Sequence, residues 1–147
     1  MNYQNILIPT DGSEFTDAAI DNAIALAKIS GGRITALYVL DQSVYSNMPM
    51  DAAIVNVYET LQHEGKNAVS YIKKKAAENG VDFTEKIVEG LPANTICMMS
   101  ADYDLIVMGT LGRTGMNKVL MGSVAEKVIE GAKCPVMVVR QNKNSLA

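Results

Sequence analysis

The run Asp104-Leu-Ile-Val-Met-Gly-Thr-Leu-Gly-Arg-Thr-Gly-Met-Asn-Lys-Val-Leu-Met-Gly-Ser-Val124 decides how this chain folds. Residues 105–108 are apolar and too few for a buried helix, so they read as a core strand. Gly109 closes that strand. A loop follows, punctuated by Gly112, Arg113, Thr114 and Gly115. Gly122 and Ser123 then precede a helical pattern that begins at Val124. The order is strand, glycine-rich loop, helix N-terminus.

That order suits an anion. The first turn of a helix carries unpaired N–H groups and a partial positive charge, and both draw a phosphate. Glycines let main chain approach a ligand where a Cβ would clash. Ser123 has two uses, as a helix cap or as a hydroxyl donor to a phosphate oxygen. Arg113 offers a fork of donors matched to phosphate, or stands as a solvated loop residue. Taken singly, each glycine also reads as an ordinary turn residue.

Outward from this stretch, apolar runs and helical stripes alternate. Residues 5–10 form a β-rich run that Pro9 should close, because proline donates nothing to the ladder. Asp11-Gly12-Ser13-Glu14 is a turn with a helix-start signal, and Ile20, Ala23, Ile24 and Ala27 share a helical face. Gly31-Gly32 stops that helix. Strand two covers 33–40. Residues 41–50 read as a loop placed to lie over a ligand. A long helical period runs over 51–79, with Ile54, Val57, Tyr58, Leu61, Ala68 and Ile72 on one stripe. Gly65 within it marks a bend or a close packing contact. Residues 82–88 make a third strand whose polar Thr84, Glu85 and Lys86 place it at an edge. A short helix over 91–101 starts with Pro92, as tolerated in a first turn. Strand four, a helix over 123–131, strand five at 135–140 and a polar tail at 141–147 complete the chain. This β-α-β-α-β-α-β-α-β alternation gives an α/β fold, a parallel sheet sandwiched between helix layers.

Composition narrows the class. The chain has 147 residues, 48% hydrophobic and 20% charged, which fits one globular domain over 1–147 and argues against disorder. A net charge of −3 gives no general attraction to nucleic acid or anionic lipid. No apolar run has membrane-spanning length, and the N-terminal residues do not resemble a signal peptide. Cys97 and Cys134 fit reduced thiols in a cytosolic protein, with a disulfide left open. Most of the nine methionines fall in apolar patterns and read as core fillers; Met116 and Met121 flank the glycine loop.

The spacing Gly109-x2-Gly112-x9-Gly122-Ser123, with Val124 after it and Cys134-Pro-Val-Met-Val-Val at the end, resembles the ATP-binding signature of the universal stress protein family. The resemblance covers nearly the whole chain. It implies a five-stranded, Rossmann-like parallel sheet in the order 3-2-1-4-5, with the ligand where the order reverses. It implies roles by position. Val39 meets an adenine through its backbone, though it also reads as plain core. Pro9, Thr10 and Asp11 line adenine and ribose, Asp11 having the alternative of a helix cap. Met108 and Gly109 lie near ribose and first phosphate. Gly112, Arg113, Gly122, Ser123 and Val124 cradle the phosphates, with Mg²⁺ or Mn²⁺ bridging them. It also implies a cytoplasmic homodimer paired through the strand at 135–140.

Catalytic equipment is sparse. No P-loop and no GxGxxG follow a strand, and the loop after strand one lacks the Ser-Gly-Gly-x-Asp-Ser pattern of ATP pyrophosphatases. The one histidine, His63, sits in a polar stretch of the long helix and reads as a surface residue. The expected activity is a nucleotide-dependent switch in stress response with at most slow ATP hydrolysis. The alternatives are a protein-interaction module of the same family that binds no nucleotide, and an enzyme acting on an adenylyl or phosphate group.

Overall fold

A computed structural model describes residues 2–111 and 121–141. Its elements run β1 (Asn5–Pro9), α1 (Asp17–Ser30), β2 (Arg33–Asp41), α2 (Ala52–Glu78), β3 (Asp82–Gly90), α3 (Pro92–Met99), β4 (Leu105–Gly109), α4 (Ser123–Gly131) and β5 (Val136–Val139). Short 3-10 turns at Glu14–Thr16, Gln42–Val44 and Ser100–Asp102 lie between them. The five strands are parallel and ordered β3-β2-β1-β4-β5. This is the order that the family resemblance implies, and β3 and β5 are its edges.

The period-two alternation of the strands divides the core into two layers. Ile6 and Ile8 of β1, Ile34, Ala36, Tyr38 and Leu40 of β2, and Leu105 and Val107 of β4 pack against α1 and α2. Their alternates Leu7, Leu37, Ile106 and Met108 pack against α3 and α4. The central strands are apolar on both faces because both are covered. β3 is only half-buried along its length, consistent with its edge position.

Backbone geometry sets the ends. α1 stops at Gly31 with φ +69°, and Gly80, at φ +66°, follows α2; this left-handed region costs glycine nothing. α1 proper begins three residues later than the acidic start signal suggests. The Thr16 hydroxyl donates to the Ser13 carbonyl at 2.7 Å and tightens the entry into a 3-10 turn. Gly65 is a packing glycine rather than a bend: a Cβ there would lie 2.8 Å from Tyr38 Cδ1. At the amino ends of β1 and β4, Asp104 Oδ2 accepts from the N–H groups of Gln4 (3.0 Å) and Asn5 (2.8 Å).

β1 and β4 pair only at Ile6↔Leu105 and Leu7↔Ile106. Beyond that point the strands part. Both carboxyl ends therefore border an opening at the place where the chain order reverses.

Candidate functional site

The opening between β1 and β4 leads into a cavity of about 410 Å³. Its first wall is the turn after β1. Thr10 N–H donates to the Leu37 carbonyl at 2.9 Å, carrying the ladder one residue past Pro9. Thr10 Oγ1 accepts from Gly12 N–H (3.0 Å), and Asp11 Oδ1 accepts from Ser13 N–H (2.9 Å). Gly12 takes φ +82° between them. These side-chain bonds are the local reason Thr and Asp suit this turn. They also show that Asp11 braces the turn before α1 and does not cap the 3-10 entry, whose cap position is Ser13.

The second wall is the end of β2. β2 runs to Asp41, but β1 accompanies it only to Leu37. In a strand the N–H and C=O of one residue point to the same side, and the side alternates. Leu37 directs its carbonyl toward β1, so Val39 and Asp41 direct their backbone groups the same way. Among the described residues no strand lies beside them there. Val39 therefore presents one donor and one acceptor toward the cavity, with its side chain packed in the α3/α4 layer.

The third wall is β4 and the start of α4. Met108, Gly109, Thr110 and Leu111 line it, followed by Gly122, Ser123, Val124 and Ala125. Gly122 occupies the helix cap position with φ −74° and ψ 162°, and Ser123 is the first helical residue. Ser123 therefore does not cap the helix. The N–H of Gly122 is already donated to the Thr110 carbonyl at 2.6 Å. The amides left to meet an anion are those of Ser123 and its successors, which have no intrahelical acceptor in a first turn. Gly109 has a packing duty as well, since a Cβ there would lie 2.8 Å from the Phe15 carbonyl oxygen.

Of the eleven residues expected to meet a ligand, nine line this one cavity: Pro9, Thr10, Asp11, Val39, Met108, Gly109, Gly122, Ser123 and Val124. Gly112 and Arg113 lie outside the described residues. Asp41 and Val44 fall in the segment 41–50 expected over a ligand, whereas Thr16, Tyr38, Leu61 and Pro92 are among the lining residues that the sequence did not reveal. Thr10 and Thr110, at the ends of β1 and β4, are both nearly buried. Leu61 comes from a remote segment and carries no local signal.

The charges at the cavity are carboxylates, Asp11 and Asp41. Among the described lining residues there is no cation. An anion here would rest on the dipole and amides of α4, with Arg113 the nearest cationic candidate in sequence. Among the described residues no group of three or more His, Cys, Asp or Glu could hold a metal.

Other reactive groups lie elsewhere. His63 is exposed on α2 and does not line the cavity. Cys97 and Cys134 are free and half-buried in the α3/α4 layer. Burial, and secondarily the charge of Asp104, raises the Cys134 thiol pKa above its ordinary value, which leaves it a poor nucleophile. No described helix is long and apolar enough to cross a membrane.

Comparison with known proteins agrees with this geometry. Residues 2–140 match the model of the universal stress protein family. The chain is 43% identical over 143 residues to universal stress protein MJ0531 of Methanocaldococcus jannaschii, covering 96% of this chain and 84% of that one. It superposes on universal stress protein UspA from Lactobacillus plantarum with a TM-score of 0.87 at 30% identity, covering 95% and 99% of the two chains. The universal stress protein of Archaeoglobus fulgidus in complex with dAMP shares the fold, with a TM-score of 0.68, 20% identity and coverage of 95% and 100%.

Proposed function

The chain belongs to the universal stress protein family, and from that premise we propose that it binds an adenine nucleotide, ATP or a close relative, in the cavity between β1 and β4. One observation carries the reading. A strand edge with an open donor and acceptor at Val39 and a helix N-terminus at Ser123 border the same cavity of about 410 Å³. The first suits the hydrogen-bonding edge of a base, and the second suits phosphate. Pro9, Thr10 and Asp11 lie between them, where a ribose would span the gap. That a protein of this fold is solved with dAMP is consistent with the assignment.

In this reading Met108 and Gly109 face the ribose and first phosphate. Gly112, Arg113, Gly122, Ser123 and Val124 form the cradle, and Gly122 contributes by its small size rather than by its N–H. Mg²⁺ or Mn²⁺ accompanies the phosphates. Hydrolysis is slow at most, since no histidine, lysine or cysteine is among the described lining residues, whose ionisable groups are Asp11, Asp41 and Tyr38. A well-placed general base would add roughly 10²–10⁴-fold. The protein then acts as a nucleotide-dependent regulator in a stress response, in the cytoplasm, as a single domain. β5 is an edge of the sheet with no further strand beside it among the described residues, and a second copy pairing there would cover that edge.

The test is calorimetric titration of the freshly purified protein with ATP, ADP and AMP, each with and without Mg²⁺. Mass spectrometry of the small molecules released on denaturation accompanies it. Saturable binding of at least one adenine nucleotide supports the reading. Absence of binding by all three, with no nucleotide released, would leave the protein-interaction module as the better account.

A further inference from the structure

We propose that Asp41 reads the base: its carboxylate selects a nucleotide whose base carries an exocyclic amine beside an unprotonated ring nitrogen, and rejects one with a carbonyl in place of the amine. The proposal rests on the nucleotide reading above and adds a side-chain contact to the backbone groups of Val39.

The first observation is where Asp41 stands. β2 and β4 are separated by β1 alone, and two strand spacings are about 10 Å. The open end of β2 is therefore the end of the cavity remote from the first turn of α4. A nucleotide with its phosphates at Ser123 brings its base to β2. Asp41 is the last residue of β2 and stands beside Gly90 of β3, so its main chain is held by the sheet. Leu37 and Val39 pack in the α3/α4 layer, and alternation puts the Asp41 side chain on that same face. Pro92 and Ile96 line the cavity from this face, and Asp41 lines it too.

The second observation is the direction in which the strand runs. The N–H of Val39 precedes its C=O along the chain. A base that pairs with both sets a ring-nitrogen acceptor on the N–H and an exocyclic amine on the C=O. The amine then lies on the Asp41 side. It has two protons, and the Val39 carbonyl accepts one. The second is left for another acceptor, and a carboxylate takes such a proton in base recognition.

The third observation is how the carboxylate is held. Asp41 Oδ1 accepts from the N–H of Ser43 at 3.0 Å and from its hydroxyl at 2.7 Å. Among the described residues Oδ2 takes no hydrogen bond. Ser43 thus fixes the group by one oxygen and leaves the other to the cavity. An ionised carboxylate only accepts. It matches the 6-amine of adenine and repels the 6-oxygen of hypoxanthine or guanine.

Calorimetric titration of the full chain with AMP and with IMP tests this, because the two differ only along the base edge in question. The wild-type protein should bind AMP at least tenfold more tightly than IMP. Asp41→Asn is the informative variant. The Ser43 N–H requires an acceptor, so the amide keeps its oxygen there and turns an NH2 donor to the place of Oδ2. AMP affinity should fall and IMP affinity rise, shrinking the preference by about tenfold or more, as for one exchanged hydrogen bond. The far-UV circular dichroism spectrum should stay as in the wild type. An unchanged AMP-to-IMP ratio in this variant would overturn the proposal and leave the nucleotide reading standing. Equal weakening of both nucleotides would do the same, since Asp41 would then only support its turn. A wild-type protein that holds IMP as tightly as AMP would overturn it as well. Binding of neither nucleotide by the wild-type protein would overturn the nucleotide reading and this proposal with it.

Discussion

Glycine at 109 is required by its neighbour across the layer, the carbonyl of Phe15, more than by its own turn. A methyl group at 2.8 Å from backbone oxygen cannot be relieved by rotating a side chain. Gly109→Ala should lower stability by about 1–3 kcal/mol, the usual cost of overpacking, measured by chemical denaturation. At the cap of α4 the expected outcome is different. Gly122→Val should remove the thermal shift given by ATP and Mg²⁺ while the unliganded melting point changes little, since Gly122 stands at a surface-facing helix start. Retention of the full shift in that variant would show that no phosphate approaches this turn. Asp104 was not singled out by any pattern in the sequence, yet its carboxylate holds two amides at the start of β1. Asp104→Ala should destabilise by roughly 0.5–1.5 kcal/mol, the net worth of an ordinary hydrogen bond, since the bonds are exposed and Gln4 N–H keeps the Asn2 carbonyl at 2.8 Å. The same denaturation experiment measures it.

At the scale of elements, the β2–α2 connection is the piece with a pH signature. Tyr58 is raised chiefly by its hydrogen bond to Glu89, and Tyr45 by burial and then by Glu89. A phenol whose folded pKa lies above its unfolded value favours the fold fully below the unfolded pKa, about 10. That support is lost as pH climbs through the folded value. Melting temperature should therefore fall above about pH 10, and less steeply in a Tyr45→Phe, Tyr58→Phe double variant. An identical alkaline slope in the two proteins would mean that other groups govern it. This connection was also the least legible element. Ser, Asn and Pro in residues 41–50 gave a loop, whereas the chain makes a 3-10 turn held by Asp41, whose Oδ1 accepts from both the N–H and the hydroxyl of Ser43. The helical stripe of α2 was plain from Ile54 to Ile72. The stripe could not tell that Leu61 both packs on the core and lines the cavity, because an apolar residue looks the same in either setting. By contrast Pro9, Gly31 and Gly80 fixed element ends by backbone chemistry alone, and those ends were readable without any tertiary knowledge.

For the molecule as a whole, layering followed from alternation, and strand order from the family resemblance. Ile6 and Ile8 against Leu7 make a strand apolar on both faces, which only a doubly covered sheet accepts. The site was legible where main chain does the work, at Gly109, Gly122 and Ser123. It was illegible where packing brings in remote side chains, as with Thr16 and Leu61. Assembly offers a further expectation. Met137 is exposed on the edge strand β5, so Met137→Asp should convert a dimer to a monomer in light scattering at micromolar concentration. A wild-type protein already monomeric there would rule out pairing through this edge. One more result of the topology concerns biosynthesis. β1 is synthesised before its partner on one side, β2, which follows soon after. Its other neighbour, which pairs with Ile6 through Leu105, is made about a hundred residues later, or some 5–20 s at roughly 5–20 residues per second. During that interval the nascent chain carries an unsatisfied apolar ribbon, and translation speed and chaperone occupancy, rather than final stability, govern how much of the product escapes aggregation.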